Sequence, residues 1–146
     1  MTAAGNQVPD AELEFRTTLA APVARVFTAL TQAEHLVHWL CDEAQSDPRS
    51  GGRVSLRWRG PEASEQPYTG EWVAFDAPRG CAIAGGQPSH PGGYAGRVDW
   101  MLEPADGGTL LVTRHRIPPR TEYAPLVRTY AGAWPRALER LAKYLT

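Results

Sequence analysis

Residues 12–19 alternate. Leu13, Phe15, Thr17 and Leu19 fall on one side, with Glu12, Glu14, Arg16 and Thr18 on the other. A period of two with one apolar side marks a strand buried on one face. Ala20-Ala21-Pro22 closes it, and Pro22 suits the first position of a helix, where a missing N–H costs nothing. Val23, Val26, Phe27 and Leu30 then recur at helical spacing and predict a short amphipathic helix over 22–30. Thr31-Gln32-Ala33-Glu34 has capping-box form, a hydroxyl at the N-cap and a carboxylate three residues on. It predicts a restart into a second short helix carrying Leu36, Val37, Trp39 and Leu40.

After a turn at Asp47-Pro48-Arg49-Ser50-Gly51-Gly52, the period returns to two. Val54, Leu56 and Trp58 face one way, and Arg53, Ser55, Arg57 and Arg59 the other. Further strands are predicted over 68–75, weakly over 81–84, over 97–102 and over 109–116. Short turns at 76–80 and 103–108 join them into an antiparallel meander. The stretch 85–96, rich in Gly, Pro and Ser, reads as a loop that could act as a lid. At the C-terminus, Leu126, Tyr130, Trp134, Leu138, Leu141 and Leu145 keep one apolar stripe on a helix. Pro135 removes an intrahelical bond and disfavours helical geometry at Trp134, so a kink or break is expected there, with the firmest helix over 135–144.

The 146 residues suit one domain, read as 12–146 behind a flexible tail over 1–11. Fifteen basic and 16 acidic residues give a net charge of −1, so no global field draws the chain to nucleic acid or an anionic membrane. No apolar run approaches the roughly 18 residues of a membrane span. The polar start has neither a basic n-region nor an apolar h-region of a signal peptide. Two cysteines, Cys41 and Cys81, are too few for a disulfide framework and fit reduced thiols in a cytoplasmic protein.

The ordered elements, an α+β chain of one strand, two short helices, about six strands and a long helix, resemble the START-like (SRPBCC) helix-grip superfamily. The residues that carry the likeness begin with Ala21-Pro22-Val23-Ala24-Arg25-Val26-Phe27-Thr28-Ala29-Leu30-Thr31 and Trp39. They continue with Gly51-Gly52, Gly70, Gly108-Thr109 ahead of Thr113–His115, and Trp134 with Leu138 and Leu141. Together they look like the branch named after activators of the Hsp-90 ATPase. The resemblance implies a curved antiparallel sheet of six to seven strands around the C-terminal helix, with a cavity between them for a hydrophobic or amphipathic small molecule. Some members are cyclases, hydrolases or hydroxylase subunits.

Five tryptophans supply the candidate lining. Strand parity could aim Trp58, Trp72 and Trp100 inward, with Trp39 and Trp134 on helices; indoles either wall a pocket or simply fill it. His115 shares parity with Thr109, Leu111 and Thr113. It either touches a ligand, where its ordinary pKa suits proton transfer, or is a structural histidine bonded to backbone. Tyr130 completes the candidate set, with Tyr68 a second proton-transfer candidate. His35 and His38 lie three apart with Cys41 three further on, but no ligand spacing supports a metal, and a solvated or capping role fits them better. No Gly-x-Ser-x-Gly elbow, P-loop or dinucleotide fingerprint occurs, and no cofactor is implied. The expectation is therefore a binder of a small hydrophobic, amphipathic or aromatic ligand lined by Trp39, Trp58, Trp72, Trp100, His115, Tyr130 and Trp134. The competing readings are a cyclase, hydratase or hydrolase using His115, and a co-chaperone-like protein–protein module. Monomer and homodimer are both left open.

Overall fold

The computed structural model describes residues 11–60, 67–85, 96–119 and 121–146. Strand β1 (Ala11–Leu19) leads into helices α1 (Val23–Thr31) and α2 (Ala33–Leu36). Six strands follow: β2 (Glu43–Ser46), β3 (Arg53–Arg57), β4 (Tyr68–Asp76), β5 (Gly80–Gly85), β6 (Gly96–Ala105) and β7 (Gly108–Ile117). A 3₁₀ turn at Thr121–Tyr123 then opens helix α3 (Ala124–Tyr144). The seven strands form one antiparallel sheet in the order β1-β7-β6-β5-β4-β3-β2, and its apolar face closes on α3. This is the expected helix-grip arrangement. Of the expected tail over 1–11, residues 1–10 lie outside the described residues and Ala11 is the first residue of β1; of the expected lid over 85–96, residues 86–95 lie outside them.

Several local expectations change. Thr31 is the last residue of α1 rather than an N-cap, and its hydroxyl donates back to the Phe27 carbonyl. The N-cap of α2 is Gln32, which makes no side-chain cap, so no capping box forms. The second helix shrinks to four residues, and Trp39 and Leu40 follow it in a turn. β2 carried no periodic signal, because a four-residue edge strand, Glu-Ala-Gln-Ser, is too short and too polar to show one. Gly85 and Gly96, read as loop, end β5 and begin β6 as direct partners.

A further surprise lies in β4. Trp72 pairs with Ile83 but Ala74 with Ala82, which leaves Val73 as an extra residue. Such a bulge shifts the alternation by one position. Val73 is pushed into solvent, and Phe75 turns inward beside Trp72, ring centroids 5.8 Å apart.

Helix α3 runs unbroken through Pro135. The ring removes one hydrogen bond, to the Ala131 carbonyl. Trp134, Ala137, Leu138 and Leu141 are all buried against the sheet, so packing on both sides of the proline holds the axis. Pro135 itself is exposed. Pro135→Ala is therefore expected to restore the bond and raise stability by about 1–2 kcal/mol, net of the proline's stiffening of the unfolded chain. The urea midpoint measures it.

Candidate functional site

The inner face of the sheet is laid out in rows by its register. Phe15, Thr113, Trp100, Cys81 and Phe75 lie abreast on five strands, and next to them run Leu13, His115, Val98, Ile83 and Trp72. The adjacent row holds three glycines side by side: Gly96 opposite Gly85, Gly85 opposite Gly70, and Gly70 opposite Val54. With no side chains there, the floor of the grip is bare backbone across three strands. Part of the reason is steric. A Cβ on Gly85 would meet the Cα of Gly70 at 2.6 Å, and one on Gly70 would meet the Tyr68 hydroxyl oxygen at 2.8 Å. Tyr68 thus leans over the glycine it precedes by two residues.

Beside this floor, α3 brings its polar groups to β7. The Trp134 indole N–H donates to Nδ1 of His115 at 2.9 Å, and the Tyr130 ring lies 4.7 Å from the imidazole, centroid to centroid. An accepting Nδ1 puts the neutral ring's proton on Nε2. Burial pushes the pKa of His115 down to about 3, so the imidazole is neutral at pH 7. Burial raises the Tyr68 and Tyr130 phenols, and the charge of Tyr68 adds a smaller upward contribution at Tyr130. Two polar groups among the described residues have no hydrogen-bond partner, the Trp100 indole N–H and the Thr113 hydroxyl, and they sit on directly opposed positions. The only polar residues buried among those described are Thr31, Thr109, Thr113 and His115. The arrangement is thus a neutral hydrogen-bonding patch inside an apolar shell, with no buried charge to hold an ion.

The expected lining residues do not all come together. His115, Tyr130, Trp134 and Trp100 come together, with Trp100 edge-on to Trp134 at 6.1 Å. Trp72 flanks them at 6.4 Å from Trp100, its N–H donating to Ser46, whose hydroxyl donates to the Thr31 carbonyl. Trp39 is buried with its ring 6.2 Å from that of Trp100, and its N–H donates to the Ala29 carbonyl and ties the turn after α2 to α1. Trp58 is not in the interior. It falls just past β3, is 39% exposed, and its N–H donates to the Leu40 carbonyl. Its parity extrapolated a strand that had already ended. The sequence reading missed Thr113 and the glycine floor, and treated Tyr68 only as a proton-transfer candidate. The available signal was a glycine on the inward parity of each of three strands.

Other clusters do different work. His35 Nδ1 hydrogen-bonds the Tyr144 hydroxyl at 2.6 Å and His38 stacks on the same ring at 4.8 Å, which pins the end of α3 to α2. Cys41 and Cys81 are buried free thiols, both pushed up to about 12 by desolvation, so neither is a nucleophile at neutral pH. No group of three ligating side chains suited to a metal occurs among the described residues. No helix among them is long and apolar enough to cross a membrane.

The architecture is that of the START-like (SRPBCC) class: a curved seven-stranded sheet gripping a C-terminal helix. The model of the family described as Activator of Hsp90 ATPase homolog 1-like protein matches residues 20–146, and the chain belongs to that family. Comparison of the sequence with curated proteins gives no match. Among solved structures, a Mesorhizobium loti protein is similar at TM-score 0.77 and 18% identity, covering 91% of this chain and 95% of that one. A Rhodobacter sphaeroides protein reaches TM-score 0.75 at 24% identity, over 92% and 90% of the two chains. The solution structure of the Aha1 dimer from Colwellia psychrerythraea gives TM-score 0.72 at 13% identity, over 92% and 96%. At these identities the likeness is one of fold.

Proposed function

We propose that this protein binds a small, uncharged aromatic molecule between the sheet and α3. The ring would lie over the glycine floor, with a hydroxyl or carbonyl group toward Tyr68, Tyr130 and His115. One observation carries the reading: His115, Trp134 and Tyr130, all neutral hydrogen-bonding groups, come together beside bare backbone in an otherwise apolar interior. A fold of this class commonly binds hydrophobic ligands, which supports it. Neutral phenols and a neutral imidazole favour a neutral ligand, because a buried anion would need a cation that no buried residue among those described supplies.

Catalysis through His115 is the weaker reading. A base whose pKa is about 3 draws protons poorly at pH 7, and its Nδ1 is already engaged by Trp134. The co-chaperone reading rests on the family description alone.

The test is native mass spectrometry of the purified protein, followed by thermal shift with a matched pair, 2-naphthol and 2-naphthoate. The naphthol is expected to stabilise the fold, by about 2.7 kcal/mol at a hundredfold excess over its Kd, which raises Tm by several degrees. The naphthoate is expected to do nothing. Tyr130→Ala should abolish the naphthol effect. Equal response to both compounds, or to neither with no co-purifying molecule, would sink the reading.

A further inference from the structure

Strand β1 ends the sheet, and its other edge faces no strand among the described residues. Its ladder to β7 runs unbroken over nine residues, from Ala11 opposite Ile117 to Leu19 opposite Thr109. Among the described residues its backbone makes no hydrogen bond outside that ladder. Edge strands are normally blunted by shortness, proline, a bulge or an inward-pointing charge. The opposite edge follows the rule, since β2 has four residues. β1 follows none of it. It is long, regular and free of Pro and Lys, and its charges Glu12, Glu14 and Arg16 all lie on the outer face.

We infer that β1 is a homodimer edge, where two copies pair their β1 strands antiparallel about a twofold axis through Phe15. Residues opposed in an antiparallel pair share a face, so a symmetric pairing must be centred on a residue. Centring on Leu13 sets Glu12 against Glu14. On Glu14 or Arg16, each meets its own copy. Centring on Phe15 sets Glu14 against Arg16 of the partner subunit, twice, and no like charges meet. The register inside each copy extends this pattern. Asp99 opposes Arg114, and Arg114 opposes Glu14, to which it donates at 2.8 Å. Adding Arg16 of the partner subunit makes an alternating row of four charges across the joint. On the inner face, Phe15 meets its own copy, and Leu13 meets Thr17 of the partner subunit. Both strands satisfy backbone groups that have no backbone partner among the described residues.

Sedimentation velocity at high micromolar concentration is expected to give twice the 16.0 kDa chain mass. Arg16→Glu, at a side chain 60% exposed, replaces two attractions by two repulsions and should weaken the dimer about tenfold or more with little change in Tm. The pairing also opposes Glu12 to Thr18 of the partner subunit. Glu12→Cys/Thr18→Cys should therefore cross-link into a covalent dimer on oxidation, while Glu14→Cys should not, since its copies lie two residues out of register. A wild-type chain of monomer mass overturns the proposal. So does a dimer that Arg16→Glu leaves unchanged and that the double cysteine variant fails to trap.

Discussion

Trp134→Ala is expected to lower the unfolding free energy by about 3–5 kcal/mol, the range for removing a buried aromatic side chain. Three effects act at one position. The indole fills the space between α3 and the sheet, edge-on to Trp100 at 6.1 Å and to His115 at 6.0 Å. Its N–H is the donor that satisfies Nδ1 of His115, and without it a buried acceptor is left unpaired, itself worth about 1–3 kcal/mol. It also flanks Pro135, where packing stands in for the missing backbone bond. Trp134→Phe separates these contributions. It keeps most of the apolar volume and loses the donor, so it should fall between the wild type and the alanine variant in urea unfolding. A loss below about 1 kcal/mol for Trp134→Ala would mean that α3 is not anchored through this residue.

Acid should destabilise the protein through His115 before its exposed carboxylates account for the loss. The folded imidazole has a pKa near 3 against 6.5 for the unfolded ring. Above 6.5 both states hold it neutral, and its contribution is fully present. As pH falls from 6.5 toward 3 the unfolded ring takes a proton that the folded ring refuses, so stability is progressively lost, by at most about 4 kcal/mol. Protonation would also convert Nδ1 from acceptor to donor and break the bond from Trp134. The faces packed on the ring, Leu13 and Val98 across the ladders and Tyr130 and Trp134 from α3, carry no charge to rescue the cation. Glu14 contributes in the same direction, since Arg114 holds its carboxyl below the usual range, but it is exposed and screened. His115→Leu isolates the effect: it should be less stable at pH 7 and show a flatter decline toward pH 4. An unchanged slope in that variant would assign the acid sensitivity elsewhere.

Much of the grip was legible along the chain because its signals are local and periodic. The alternation of β1, β6 and β7 and the stripe of α3 each depend only on residues a few positions apart. Elements failed to read where locality failed. β2 is four residues, three of them polar, that become a strand only because β3 lies beside them. The Thr31 hydroxyl satisfied the capping-box pattern, yet it bonds backward to Phe27 because α1 runs on that far. Pro135 read as a break, since the burial that offsets its lost bond comes from strands far off in sequence.

The candidate site shows the same division. Sequence alone determined which residues carry chemistry and, by parity, that His115, Trp100 and Leu13 face one side and Glu14, Asp99 and Arg114 the other. It also determined the near-neutral charge and the absence of a strong metal or nucleophile pattern. The tertiary structure alone decided the rest. It put Trp134 within hydrogen-bonding distance of His115, and by burying the imidazole made a titratable residue a neutral one. It set Gly70, Gly85 and Gly96 abreast, a relation between three strands that no single stretch of chain contains. It sent Phe75 inward through the Val73 bulge and left Trp58 outside. The physical reason is one of range. Hydrophobic periodicity is encoded over a few residues, whereas register, burial and the pKa of a buried group depend on neighbours that only folding supplies.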